Sequence, residues 1–244
     1  YLNPPGSGWY IEARDSTPST HLQTNVTDAL RASEGWVWIY GERGRWFSGG
    51  KAEHPPWTKK FPGVLSALRY GSRPVETALE TLALKTSKNL LVNGDFSKAN
   101  VEGNPANWFT WQQDDSHGRF NFTPLARAVQ ITGALRGLYG QAVPVEAGKT
   151  YAVGVVSRTI GTGTPEVAVQ WRDAQDHWTL QNQNLVLSPL APPNREGLQR
   201  YVGLITIPKG ASRLALMLIA NNQTELGSVK YAAAQVIECR PGQP

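Results

Sequence analysis

From about residue 107 to residue 238 the chain alternates short apolar blocks with clusters of Gly, Pro and Asn. Apolar runs of about 5–9 residues at that spacing predict an all-β sandwich rather than a helical domain. Phe120 and Phe122 alternate with Arg119, Asn121 and Thr123, the period-2 pattern of a half-buried strand, whereas Leu214 to Ile219 is apolar at every position and predicts a central strand. Strands are predicted at 107–112, 118–123, 128–132, 137–143, 150–158, 166–172, 200–207, 212–220 and 228–238, and 89–93 makes about ten. Glu146-Ala147-Gly148-Lys149 and Pro208-Lys209-Gly210-Ala211 read as tight turns with Gly where a positive φ is needed. Connections this short imply antiparallel pairing.

Residues before 88 are patterned differently. Trp9 to Ala13 predicts a strand, Leu22 to Ala32 a helix and Gly35 to Glu42 a second strand, the order of a parallel α/β unit. Helices are predicted at 64–70 and 74–84. The change of pattern at Lys85-Thr86-Ser87-Lys88 divides the chain into an α/β segment at 1–87 and a β-sandwich at 88–240. With 244 residues there is enough chain for both to bury a core.

Composition narrows the partners. The formal charge is +5, which suits anionic ligands, but the Lys and Arg residues are scattered and form no nucleic-acid-binding arm. Aromatic and basic residues are not interleaved on a recognisable strand pair either, so nucleic acid is not expected. The single cysteine, Cys239, rules out an intrachain disulfide and a thiolate metal cluster. No apolar run approaches the roughly 18 residues of a membrane span, so no membrane partner is expected. Tyr1 to Gly8 carry no signal-peptide pattern, which makes an exported protein a mature or excised form. Sequons at Asn25, Asn121 and Asn222 carry little weight.

Four ordered pieces then follow the octet Asn89-Leu90-Leu91-Val92-Asn93-Gly94-Asp95-Phe96. They are Gly137 to Val143 with Ala147-Gly148-Lys149-Thr150-Tyr151, then Val169 to Trp178, then Ile207 to Ala211. Octet and pieces together, across residues 89–238, resemble the jelly-roll carbohydrate-binding modules. The resemblance implies a galactose-binding-like β-sandwich, of a kind found in bacterial proteins and secreted to an extracellular or periplasmic place of action, that binds plant, algal or microbial polysaccharide and usually accompanies a glycoside hydrolase. Family members commonly close with two acidic residues in the last strand, one serving a structural calcium ion. Here that stretch is Tyr231-Ala232-Ala233-Ala234-Gln235-Val236, which leaves Asp95, Glu102 and loop carbonyls as the candidate oxygen ligands. No other cofactor is implied.

Sugar rings stack their C–H faces on aromatic rings and need fixed hydrogen-bonding partners for their hydroxyls. The aromatic candidates are Trp111, Tyr139, Trp171 and Trp178, with Arg119, Arg136, Gln170, Arg172 and Asn221 as polar companions. Trp108 sits where the family keeps a structural tryptophan. Trp111, three residues on, falls on the opposite strand face. Trp171 shares parity with Val167 and Val169 and so points to the core, whereas Trp178 stands among Asp176, His177, Gln181 and Asn182 and is the leading candidate for stacking.

Gly35 to Glu42 with Arg43-Gly44-Arg45-Trp46-Phe47 resembles the closing strand of a glycosidase-type (β/α)8 barrel. That resemblance implies an upstream catalytic domain as partner. Glu12 and Glu42 each end an aromatic-rich predicted strand and are the candidate catalytic carboxylates of a glycosidase pair. The alternative for both is an ion pair, Glu42 with Arg43 or Arg45 and Glu12 with Arg14. His117 and His177 are isolated and no catalytic set is visible in the β-rich region. Three functions remain open: a noncatalytic polysaccharide-binding module, the C-terminal part of a glycoside hydrolase, and a protein-interaction sandwich.

Overall fold

The computed structural model describes residues 18–33, 36–39, 56–61, 63–84 and 86–239. Eleven strands are present among them: β1 (Phe109–Gln112), β2 (Arg119–Thr123), β3 (Ala128–Thr132), β4 (Arg136–Pro144), β5 (Thr150–Ile160), β6 (Thr164–Arg172), β7 (Trp178–Thr179), β8 (Leu185–Leu187), β9 (Leu198–Thr206), β10 (Arg213–Asn221) and β11 (Ser228–Glu238). They form two antiparallel sheets. The first has the order β1-β4-β10-β6-β7 with β8 also on β6, and the second has the order β2-β3-β11-β5-β9. The protein is thus mainly β, a sandwich, as the hydrophobic pattern predicts.

The core between the sheets is built by alternation. Leu214, Leu216 and Leu218 of β10 and Val167, Val169 and Trp171 of β6 meet Val153 and Val155 of β5 and Val229 and Tyr231 of β11. β10 is apolar on its other face too, where Ala215, Met217 and Ile219 join Leu138 and Ala168 in a separate buried cluster. Burying a strand on both faces is why residues 214–219 read as one apolar run.

The Asn89–Phe96 octet is not the strand its sequence suggests; it is a run of turns. The Asn89 amide Nδ2 donates to the Ala234 carbonyl at 3.0 Å and its Oδ1 accepts from Val236 N at 2.9 Å, both on β11. Val92 exchanges two hydrogen bonds with the Gln141 side chain of β4, 2.7 and 2.9 Å long. One short segment therefore ties a strand of each sheet together. It docks on a bulge of β11 between Ala232 and Gln235, where Ala233 takes φ 51°. A left-handed alanine costs roughly 1–2 kcal/mol, more than the added chain entropy of glycine. Ala233→Gly is therefore expected to stabilise the sandwich by about 0.5 kcal/mol, read as a higher urea midpoint.

The chain divides into two compact units, one of residues 1–77 with 240–244 and one of residues 78–239. In the first, helix α1 (Pro18–Ala32) and the short α2 (Trp57–Lys60) accompany α3 (Val64–Ser72). Leu22, Val26, Val64 and Ala67 are buried together. Gly71 permits the close crossing of α1 and α3, since a β-carbon there would lie 2.6 Å from the Gln23 carbonyl oxygen, and the Thr27 hydroxyl donates to the Gly71 carbonyl at 2.9 Å. Residues 36–39 are in neither helix nor strand, and Trp36 and Trp38 are exposed. The strand predicted at 35–42 is therefore absent over its described part. The barrel resemblance rested on that strand together with residues 43–47, which lie outside the described residues.

The unit boundary falls inside α4 (Pro74–Ala83), ahead of the sequence boundary at 87. The reason is side-chain packing. Leu82 lies over Gly154 of β5, so closely that a β-carbon on the glycine would be 2.8 Å from Leu82 Cδ1. The Thr81 hydroxyl is 3.6 Å from the Cys239 sulfur. Burial pushes the Cys239 thiol above its ordinary value and away from the thiolate.

Candidate functional site

The strand register gathers six of the predicted site residues on one surface, the outer face of the first sheet. Trp111 pairs with Leu138, Leu138 with Ile219, and Ile219 with Glu166. Arg136 pairs with Asn221, and Arg213 with Arg172, which pairs with Trp178. Residues directly opposite share a face, so Trp111, Arg136, Asn221, Arg172 and Trp178 all point the same way, with Gln170 of β6 beside them.

The floor of this face is apolar: Leu138, Ala168, Ala215, Met217 and Ile219. Phe109, on the same side of β1 as Trp111, lies across Gly140, where a β-carbon would be 2.9 Å from Met217 Sδ and would strike the phenyl ring. The glycine thus lets an aromatic ring lie flat over β4. Phe109 is 38%, Trp111 49% and Trp178 43% exposed, so each keeps about half its surface available for a ligand.

Polar groups stand at both ends. At one, the Arg136 guanidinium is 3.5 Å from Glu166 Oε1 and the Asn221 amide donates to Glu166 Oε2 at 3.2 Å. At the other, Asp176 accepts from Arg172 Nη1 at 2.7 Å and lies 3.2 Å from Arg213 Nε. Arg213 also donates to the Ala142 carbonyl at 3.1 Å. The Arg172 guanidinium is 4.0 Å from the Trp178 ring centroid and 6.0 Å from that of Phe109, within cation–π range of both. A band of aromatic rings and guanidinium planes therefore runs obliquely from β1 to β7.

Within the loop that presents Trp178, the backbone is ordered by the Asp173 carboxylate. Asp173 Oδ1 accepts from the backbone N–H groups of Gln175 and His177, each at 2.9 Å. Asp176 takes φ 67° at the tip, a conformation that short polar side chains tolerate. The donated His177 N–H, followed by that of Gln175, holds the Asp173 carboxyl below its ordinary value. A depressed folded pKa gives stabilisation that is present above the unfolded value and lost only as pH falls through the lowered one. The Asp173-linked shift of the Trp178 indole N–H signal is therefore expected only below about pH 4, the ordinary aspartate range.

The remaining sequence candidates lie elsewhere. Tyr139 is 1% exposed and faces the core, donates to the Asn121 carbonyl at 3.2 Å and stacks edge-on with Phe120. Trp171 is equally buried and its indole N–H donates to the Gln183 carbonyl at 2.9 Å. Neither ring is available to a ligand, because both have the inward parity of their strands. Arg119 is exposed on the second sheet. Trp108 is buried against Phe96, ring centroids 4.9 Å apart. Glu12 and Glu42 lie outside the described residues. Phe109, Glu166, Asp176 and Arg213 join this site in addition to the residues the sequence points to. Phe109 stands two residues before Trp111 on a predicted strand and Asp176 four residues after Arg172, both legible locally; Glu166 and Arg213 depend on the β4-β10-β6 order.

A structural calcium ion does not fit the residues present. The Asp95 carboxylate already accepts from the Ser97 hydroxyl at 2.9 Å and stands 3.9 Å from an Arg127 guanidinium nitrogen. The β11 bulge brings alanines and Gln235 rather than carboxylates. Among the described residues no three His, Cys, Asp or Glu side chains gather as metal ligands.

No family model matches the chain, and no curated protein matches it. Among solved structures it is similar to the enzymatically active domain of tailspike protein 4 of bacteriophage CBA120, at 14% identity and a TM-score of 0.46, covering 62% of this chain but only 21% of that one. It is also similar to the CBM22-1 xylan-binding domain of Paenibacillus barcinonensis Xyn10C, at 13% identity and a TM-score of 0.44, covering 66% of this chain and 100% of that one. A CBM4 protein is 19% identical with a TM-score of 0.42, over 61% of this chain and 99% of its own.

Proposed function

We propose that the β-sandwich is a noncatalytic polysaccharide-binding module and that the outer face of the first sheet is its binding surface. The observation that carries this is the shared face of Phe109, Trp111 and Trp178, half-exposed rings bordering an apolar floor with hydrogen-bonding groups at each end. Apolar sugar faces would lie on the exposed faces of these rings, which the buried apolar cluster beneath holds in place. Hydroxyls would meet Arg136, Glu166 and Asn221 at one end and Gln170, Arg172 and Asp176 at the other. The surface crosses the sheet from edge to edge, about 19 Å at the usual strand spacing, and suits several sugar units of an extended chain. Attachment to a larger carbohydrate-active enzyme and an extracellular or periplasmic place of action belong to the same proposal, supported by the sequence resemblance. Affinity electrophoresis through gels containing neutral and acidic polysaccharides tests it: retardation by at least one supports the module, and unchanged mobility in all of them refutes it.

A further inference from the structure

We infer that the outer face of the second sheet is a separate binding surface for a linear polyanionic polysaccharide bearing sulfate or carboxylate groups. The strand register places Arg119 of β2 opposite Thr132 of β3, and Thr132 opposite Ser228 of β11. In the next row Asn121, Gln130, Lys230, Arg158 and Leu198 stand side by side on the five strands. One row further, Val156 of β5 pairs with Arg200 of β9. All of these have the outward parity, because Val129, Ile131, Val155, Tyr201, Val229 and Tyr231 between them fill the core. Arg119, Lys230, Arg158 and Arg200 therefore form an oblique cationic stripe that crosses the sheet, a width of about 19 Å at ~4.8 Å per strand.

What marks the stripe is the lack of counter-charges. On the first sheet, Arg136, Arg172 and Arg213 all stand beside a carboxylate, Glu166 or Asp176. On the second sheet the three rows from Arg119 to Arg200 contain neither Asp nor Glu. Lys230 and Arg158 are directly opposite one another, a like-charge pair that weakens the sheet. Among the described residues Arg158 finds only the Glu196 backbone carbonyl, at 3.0 Å. Arg119, Arg158 and Arg200 are exposed. Uncompensated cations in register cost stability, and a polyanion repays that cost by releasing its counterions.

The surrounding residues decide which polyanion. Phe120, Phe122, Tyr201 and Tyr231, the aromatic residues of these strands near the stripe, turn inward to the core. That leaves no ring on which bases of a single strand could stack, and no aromatic anchor of the kind that centres a protein interface. Asn121 and Gln130 instead flank the cations with hydroxyl-matching amides. Regularly spaced charges beside amides fit a sulfated or uronate-bearing glycan.

The test uses the full chain, with dextran sulfate and unmodified dextran as probes in affinity electrophoresis. Dextran sulfate is expected to retard the protein and unmodified dextran to do so at most through the Trp111 and Trp178 face. With about three counterions released, affinity for dextran sulfate should fall roughly 50-fold between 50 and 200 mM salt. The double variant Lys230→Glu, Arg200→Glu should bind dextran sulfate at least tenfold more weakly with an unchanged or raised melting temperature. The charge-matched control Lys98→Glu, Lys209→Glu should bind like the parent. Any retardation of the double variant by unmodified dextran should equal the parent's, which separates this surface from the aromatic face. Equal binding by both double variants, absence of binding by the parent, or tighter binding of a single-stranded oligonucleotide than of dextran sulfate would overturn the inference.

Discussion

Replacing Trp111 or Trp178 with alanine is expected to weaken binding of a polysaccharide ligand by roughly 30-fold each, about 2 kcal/mol, while the melting temperature stays within a few degrees. Both rings keep about half their surface exposed, so neither substitution opens a cavity in the core. The effect should therefore appear in affinity and not in folding. The two sites lie on opposite edge strands of the sheet, far enough apart that their effects should add, and the double variant should lose nearly all measurable retention. Trp171→Ala provides the contrast. Its ring is 1% exposed between the sheets, and its removal should cost about 3–5 kcal/mol of stability.

The second large effect concerns the octet. Gly94→Ala is expected to destabilise the sandwich by about 3 kcal/mol, at the upper end for an overpacked site, seen as a shift of the urea midpoint. A β-carbon at Gly94 would strike the Ala234 carbonyl oxygen and lie 2.7 Å from Asn89 Nδ2. Neither neighbour can yield cheaply. The Gly94 carbonyl accepts from Ala234 N at 2.9 Å, and the Asn89 amide is committed to the same alanine. Displacing the segment would break the bonds that link it to β11 and to Gln141 of β4. Gly103→Ala serves as the control. It has a positive φ of 80° but nothing within 4 Å of a β-carbon, and should cost about 1 kcal/mol.

The strands with clear period-2 alternation were legible because a half-exposed sheet writes its geometry directly into sequence. Phe120 and Phe122 on β2 are examples. The two-faced apolar run of β10 also announced its central place. The octet was not legible in the same way. Asn89 and Gly94 are used for contacts to residues 234–236, and nothing local to residues 89–96 separates such a plug from a short strand. Tyr139 and Trp171 were plausible ligand platforms by residue type, and Trp171 was marked for the core by parity alone. The Glu166–Arg136 and Asp176–Arg213 pairings depend on which strands become neighbours. Strand order is a property of the folded chain, so these partners could not be read from spacing.

The most direct test of the central claim is a titration of the full chain with oligosaccharide fragments, followed through the tryptophan indole N–H resonances. If the outer face of the first sheet binds polysaccharide, the Trp111 and Trp178 signals shift in a saturable way while those of Trp108 and Trp171, buried in the core, stay in place. Saturable binding that leaves Trp111 and Trp178 unmoved, or no shift with any fragment of the panel, would contradict it.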